Sequence, residues 1–151
     1  MRNRYLDVAK IIRNSLKKTK NKELKEYLGK TAISRAYESV FLELYYHFTE
    51  DLEVPYTQMK KIAEEYYKQK GLKVAINKHT AVGAYVAVNY GEVYGELYEK
   101  LRKARNDVDY NLELEIFPFG IGIDEVSDYI KRAEIILNEV IVWLHLKKRK
   151  K

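Results

Sequence analysis

Residues 80–111 read TAVGAYVAVNYGEVYGELYEKLRKARNDVDYN, and within them Val86, Tyr90, Val93, Leu97, Leu101, Ala104 and Val108 recur in steps of three and four. That spacing sets apolar side chains on one stripe of an α-helix, so the stretch predicts one long helix presenting a bundle seam. Gly83, Gly91 and Gly95 fall inside it. Each weakens an isolated helix by up to about 1 kcal/mol relative to alanine, which points to close approach by a neighbouring helix or to simple tolerance.

The flanking segments follow the same logic. Residues 4–18 place Tyr5, Val8, Ile12 and Leu16 at helical spacing, with Arg13, Lys17 and Lys18 turned away. Residues 22–51 carry Leu24, Leu28, Ile33, Tyr37, Val40, Phe41, Leu44 and Phe48, with Gly29 a possible kink point. Pro55 ends that helix, because proline disfavours the α conformation in the residue before it; Thr57 then reads as the cap of a short helix that stops before Gly71 and buries Met59, Ile62 and Tyr66. Residues 73–79 read as a loop in which Val74-Ala75-Ile76 would also suit a brief strand or an early helix start. Residues 112–122, with Pro118, Gly120 and Gly122, read as a loop that Asp124 closes by capping the last helix, where Val126, Ile130, Ala133, Leu137, Val140 and Leu144 form a second seam. The expectation is an all-α protein: an up-and-down helical bundle with four principal helices and one short accessory helix, forming a single domain over residues 1–151.

Composition narrows the class. The chain has no cysteine, which excludes disulfides, thiolate metal sites and cysteine nucleophiles and agrees with a reducing, cytoplasmic compartment. The most apolar run, residues 135–146, is interrupted by Asn138 and Glu139 and falls short of the about 20 apolar residues a bilayer core requires, and no signal-peptide core precedes it. No membrane association is expected. The net charge is +6, but the tail at residues 147–151, Lys-Lys-Arg-Lys-Lys, supplies five positive charges. It is either a solubilising end or an RNA-touching arm. A charged fraction of 33% rich in Lys and Glu is compatible with a thermophilic source.

One constellation on the long segment bears on chemistry. Arg102, Arg105, Asn106 and Asp109 stand at helical offsets of zero, three, four and seven and so share a face beside the seam. Two guanidinium groups, an amide and a carboxylate can grip a phosphate, orient a ribose or stabilise charge during phosphodiester cleavage. The same four residues also read as a surface ladder in which Arg105 pairs with Asp109.

Two stretches, Thr31-Ala32-Ile33-Ser34-Arg35-Ala36-Tyr37-Glu38-Ser39-Val40-Phe41 and the segment from Leu101 to Tyr110, resemble those of the HEPN superfamily, helical domains of prokaryotic toxin–antitoxin and defence systems. The order of segments is also similar, through Lys131-Arg132-Ala133-Glu134 in the last helix. The resemblance spans roughly residues 5–146. It implies an archaeal or bacterial bundle that forms a homodimer, with arginine motifs facing across the interface to make an RNA-cleaving site. Arg105 matches the family arginine and Asn106 the polar residue after it, making these two the candidate catalytic residues, while Arg102, Arg105, Asp109 and Tyr110 are the candidate nucleotide- or RNA-binding residues. The family histidine is missing: the three allowed positions after Arg105 hold Tyr110, Asn111 and Leu112. Tyrosine, with a reference pKa near 10, is a poor base at neutral pH.

The expectation is therefore an RNA- or nucleotide-contacting component with degenerate or absent ribonuclease activity. The other reading is a non-catalytic interaction module, either paired with a nucleotidyltransferase-type protein for which Tyr110 is the acceptor or serving as an oligomeric scaffold. No cofactor and no metal are expected. Glu113, Glu115, Asp124 and Glu125 lack calcium-loop spacing, and Gly120-Ile121-Gly122 lacks the lysine and strand of a phosphate loop. The histidines, His47, His79 and His145, build no metal-ligand spacing; His47 reads as packing, and His79 reaches the arginine cluster only if the chain folds back on itself. The 14 tyrosines suit either base stacking or wet bundle edges and interfaces.

Overall fold

The computed structural model describes residues 3–110 and 123–150, with side chains over 3–109 and 124–143. It is helical throughout, with no strand among the described residues: α1 (Tyr5–Lys18), α2 (Lys22–Tyr46), a π-helical turn (His47–Asp51), α3 (Tyr56–Gln69), α4 (Lys78–Tyr90), α5 (Glu92–Tyr110) and α6 (Ile123–Lys150). The expected loop at 112–122, the seam residue Leu144 and the side chains of Tyr110 and the basic tail lie outside the described residues.

The long helix predicted over 80–111 is two helices. Gly91 breaks it at φ 125°, a backbone conformation that side-chain-bearing residues rarely adopt. The chain turns back there within one residue, and α4 and α5 pack against each other as a tight antiparallel hairpin. The remaining glycines are the points of closest approach. A Cβ on Gly95 would stand 2.5 Å from the Ala87 Cβ, and one on Gly83 would stand 2.8 Å from the Tyr98 ring. The neighbour whose approach the glycines signalled is thus the other half of the same apolar repeat. The seam survives on each side of the break, with Val86, Leu101, Ala104 and Val108 buried, but Val93 just past it is 67% exposed. The expectation of four principal helices and one short accessory helix gives way to six α-helices among the described residues.

Helix α2 is the axis of the fold and packs against α1, α4, α5 and α6. Asn21 starts it by accepting a hydrogen bond from the Leu24 amide, and it runs through Gly29 without a break. Its face of Ala32, Ile33, Ala36, Tyr37, Val40 and Leu44 is fully buried. The expected helix over 22–51 changes character at His47, where the last turn widens into π geometry and the Leu52 amide reaches back to the His47 carbonyl at 3.0 Å. On α1 the buried residues are Leu6, Ala9 and Leu16, while Val8 is exposed; the helix is thus rotated away from the stripe its larger residues suggested.

Helix α3 begins after Pro55 with no side-chain cap; Thr57 is already inside the first turn. Asn77 and Thr80 form a reciprocal capping box at the start of α4, which places His79 within its first turn. On α6, Asp124 lies inside the first turn, and Val126, Ile130, Ala133, Leu137 and Val140 are buried as their spacing predicted.

Candidate functional site

The fold-back at Gly91 has a chemical consequence: it lays the N-terminal turn of α4 beside the middle of α5 and so carries His79 to the arginine-bearing face. Three polar groups close a ring there. The Tyr98 hydroxyl donates to the His79 carbonyl at 2.8 Å, the Tyr37 hydroxyl lies 3.0 Å from that of Tyr98, and the His79 Nδ1 lies 2.7 Å from the Tyr37 hydroxyl. A phenol carries one proton, which fixes the direction of every bond. Tyr98 uses its proton on the carbonyl, so Tyr37 donates to Tyr98, and His79 donates to Tyr37 through Nδ1–H. The ring therefore holds the imidazole in its neutral Nδ1–H tautomer and leaves Nε2 as the lone-pair nitrogen.

The electrostatics keep the imidazole neutral. Burial, reinforced by the positive charges of Arg105 and Arg102, pulls His79 down from 6.5 to about 4, so the ring is neutral at pH 7. Burial pushes Tyr37 up to about 12 and raises Tyr98 well above the ordinary phenol value, so both keep their protons. The His79 ring is held from its sides as well: it stacks on Phe41 with centroids 4.0 Å apart and on Tyr37 at 5.8 Å.

Of the predicted residues of α5, the two arginines stand beside this ring. The Arg105 guanidinium lies over the Tyr37 ring, 4.8 Å from its centroid, and is half-buried. Arg102 forks onto Glu99, its Nε 3.1 Å from both carboxylate oxygens and its Nη2 2.8 Å from Oε2, which leaves Nη1 donors for another acceptor. Asp109 accepts from the Ser34 hydroxyl at 3.0 Å and thereby joins the end of α5 to α2. Asn106 is half-exposed on the same helix. The four residues do share a face, as their spacing predicted, and the structure adds what each is tied to. The Tyr110 side chain falls outside the described residues.

Beyond Asp109 the face opens into a groove of about 440 Å³ between α2 and the end of α5, lined among others by Glu26, Tyr27, Lys30, Ser34, Arg35 and Asp109. Tyr27 is 66% exposed, so its ring is open to stacking.

His47 belongs to a separate cluster. Its Nε2 lies 3.2 Å from a Glu43 oxygen and its Nδ1 2.5 Å from an Asp51 oxygen, and Asn3 donates to the other Glu43 oxygen at 3.1 Å. Glu43 is buried, so this is a clamp that ties the π-turn and the N-terminal segment to α2. It is polar, where the sequence suggested packing among aromatics. Among the described residues no group of three His, Asp or Glu side chains is placed to hold a metal ion, and no helix is long and apolar enough to cross a membrane.

The residues that sequence reasoning left out of the site are Tyr37, Tyr98, Glu99 and Ser34, and His79 was tied to a fold-back that the spacing did not predict. The available signal was Gly91, whose break the uninterrupted apolar spacing concealed. The chain matches no protein-family model, no curated protein and no solved structure.

Proposed function

We propose that this chain is a HEPN-like, RNA- or nucleotide-contacting domain of a toxin–antitoxin or defence-type system, homodimeric, with weak or absent ribonuclease activity. The observation that supports this most is the pairing of a half-buried Arg105 and a partly committed Arg102 with a neutral histidine whose tautomer is locked. Arginine forks bind phosphate oxygens through several N–H groups, while a lone-pair Nε2 accepts from a ribose hydroxyl. Asn106 and Asp109 add an amide and a carboxylate along the same helix, and the exposed Tyr27 ring in the adjoining groove suits a base.

The same geometry argues for binding over cleavage. A general base works best with a pKa near the operating pH, and a histidine held at about 4 takes a proton only weakly at pH 7. His79 thus positions a hydroxyl better than it deprotonates one, and the neighbouring phenols stay protonated.

The test is to incubate labelled RNAs with the native chain, with Arg105→Ala and with Arg105→Lys, each checked for helicity and oligomeric state. Retention that falls at least about tenfold in Arg105→Ala and partly returns in Arg105→Lys supports the reading, since the loss of a charged hydrogen-bonding contact in a desolvated site costs about 1.5–3 kcal/mol. Equal retention by all three removes the RNA and nucleotide readings of this cluster and leaves pairing with a nucleotidyltransferase-type partner as the working assignment. Cleavage that vanishes in both variants would show a more active site than proposed.

A further inference from the structure

On another side of the molecule, the end of α4 and the start of α5 meet α6 around a pocket of about 270 Å³ lined by Asn89, Tyr90, Tyr94, Glu139, Val140 and Trp143. Three of its six lining residues are aromatic and one is a carboxylate, and no lysine or arginine lines it among the described residues. The Tyr90 ring is fixed from behind, stacked on Phe48 at 5.9 Å and 11° and tilted against Tyr85 at 6.4 Å. The Asn89 amide nitrogen donates to the Tyr85 carbonyl at 3.1 Å, which leaves its oxygen as an acceptor. Trp143 is 47% exposed in a chain that has no other tryptophan.

We propose that this pocket binds an alkylated ammonium head group. Aromatic faces attract cations through their ring quadrupole, and Glu139 supplies the matching charge. The lining favours alkylation. Beside the tyrosine hydroxyls its acceptors are the Asn89 oxygen and the Glu139 carboxylate, and the rest of the wall is aromatic ring and Val140, which methyl groups suit better than N–H groups do. A cation whose N–H groups are replaced by methyls loses little on leaving water and fills the aromatic space. The site lies apart from the arginine face, so the proposal stands or falls independently of the RNA reading.

Trp143 makes the pocket directly observable. The full chain is titrated, with tryptophan emission as the readout, using choline, its neutral carbon isostere 3,3-dimethylbutan-1-ol and Nα-acetyl-trimethyllysine amide. Saturable changes with both cations, at least about tenfold tighter than with the isostere, are expected. The tighter of the two cations identifies the source as a free small molecule or a modified side chain. Glu139→Gln, checked for unchanged helicity, weakens binding roughly threefold, as an exposed charge pair allows, and Tyr94→Ala removes the saturable change. No saturable change with either cation, or equal affinity for choline and its isostere, overturns the proposal.

Discussion

Among the described residues, two partly buried histidines stand near tyrosines in surroundings of opposite sign. His79 stands in the first turn of α4, stacked on Phe41, facing Arg105 and Arg102, with its Nδ1 engaged by a phenol. His47 begins the π-turn that ends α2, and both of its nitrogens face carboxylates. The first environment empties the ring of charge and leaves Nε2 as its lone-pair nitrogen; the second makes the ring a tie between two acids, joining backbone segments. A histidine in a tyrosine-rich helical sequence is therefore not one kind of group. Its role is set by which neighbours the fold supplies.

The comparison can be broken most sharply at Tyr98. Tyr98→Phe keeps the buried ring but removes the hydroxyl that donates to His79 and accepts from Tyr37. Two buried groups lose their partner, so unfolding in urea should show a loss of about 2–3 kcal/mol; a loss under about 0.5 kcal/mol would mean that the ring of bonds is incidental. Gly83→Ala attacks the same ring through packing. Its Cβ would stand 2.8 and 2.9 Å from two Tyr98 ring carbons, and with part of the cost offset by better helix propensity the expected loss is about 1–2 kcal/mol.

Acid provides the next contrast. Between 6.5 and about 4 the folded chain binds fewer protons at His79 than the unfolded chain does, so His79 stabilises the fold above that window and its contribution fades as pH falls through it. After allowance for solvent screening this amounts to on the order of 1–2 kcal/mol, and His79→Gln should remove that part of the pH dependence in a series of denaturant melts. The smallest effect belongs to the other histidine. His47→Gln preserves one hydrogen bond to its carboxylate neighbours, and thermal unfolding should record a loss of about 1 kcal/mol or less; a loss above about 3 kcal/mol would make the clamp, not the ring, the main polar anchor of the fold.

The sequence made the helical class legible because apolar spacing survives the detail of topology: the stripes of α2 and α6 are buried largely where periodicity put them. It also made the grouping of Arg102, Arg105, Asn106 and Asp109 legible, because residues sharing a helix face need no tertiary information. What it hid was the reversal at Gly91. Periodicity measures which side of a helix is apolar, and two helices joined by one glycine can keep that phase while changing direction. The histidine side of the site went with it, since the link between Tyr37, His79 and Tyr98 exists only once α4 folds back onto α5. The burial of Ala9 in place of Val8 was missed because hydropathy ranks the larger residue first, while alanine is also among the residues most often fully buried.

The central claim is that His79 is a neutral, Nδ1-protonated acceptor beside the arginine pair, and imidazole ¹⁵N chemical shifts followed against pH test it most directly. The account predicts a His79 spectrum of the Nδ1–H tautomer at pH 7 that persists through pH 6 and titrates near 4. A His79 that carries its proton on Nε2, or that titrates near its ordinary 6.5, would contradict it.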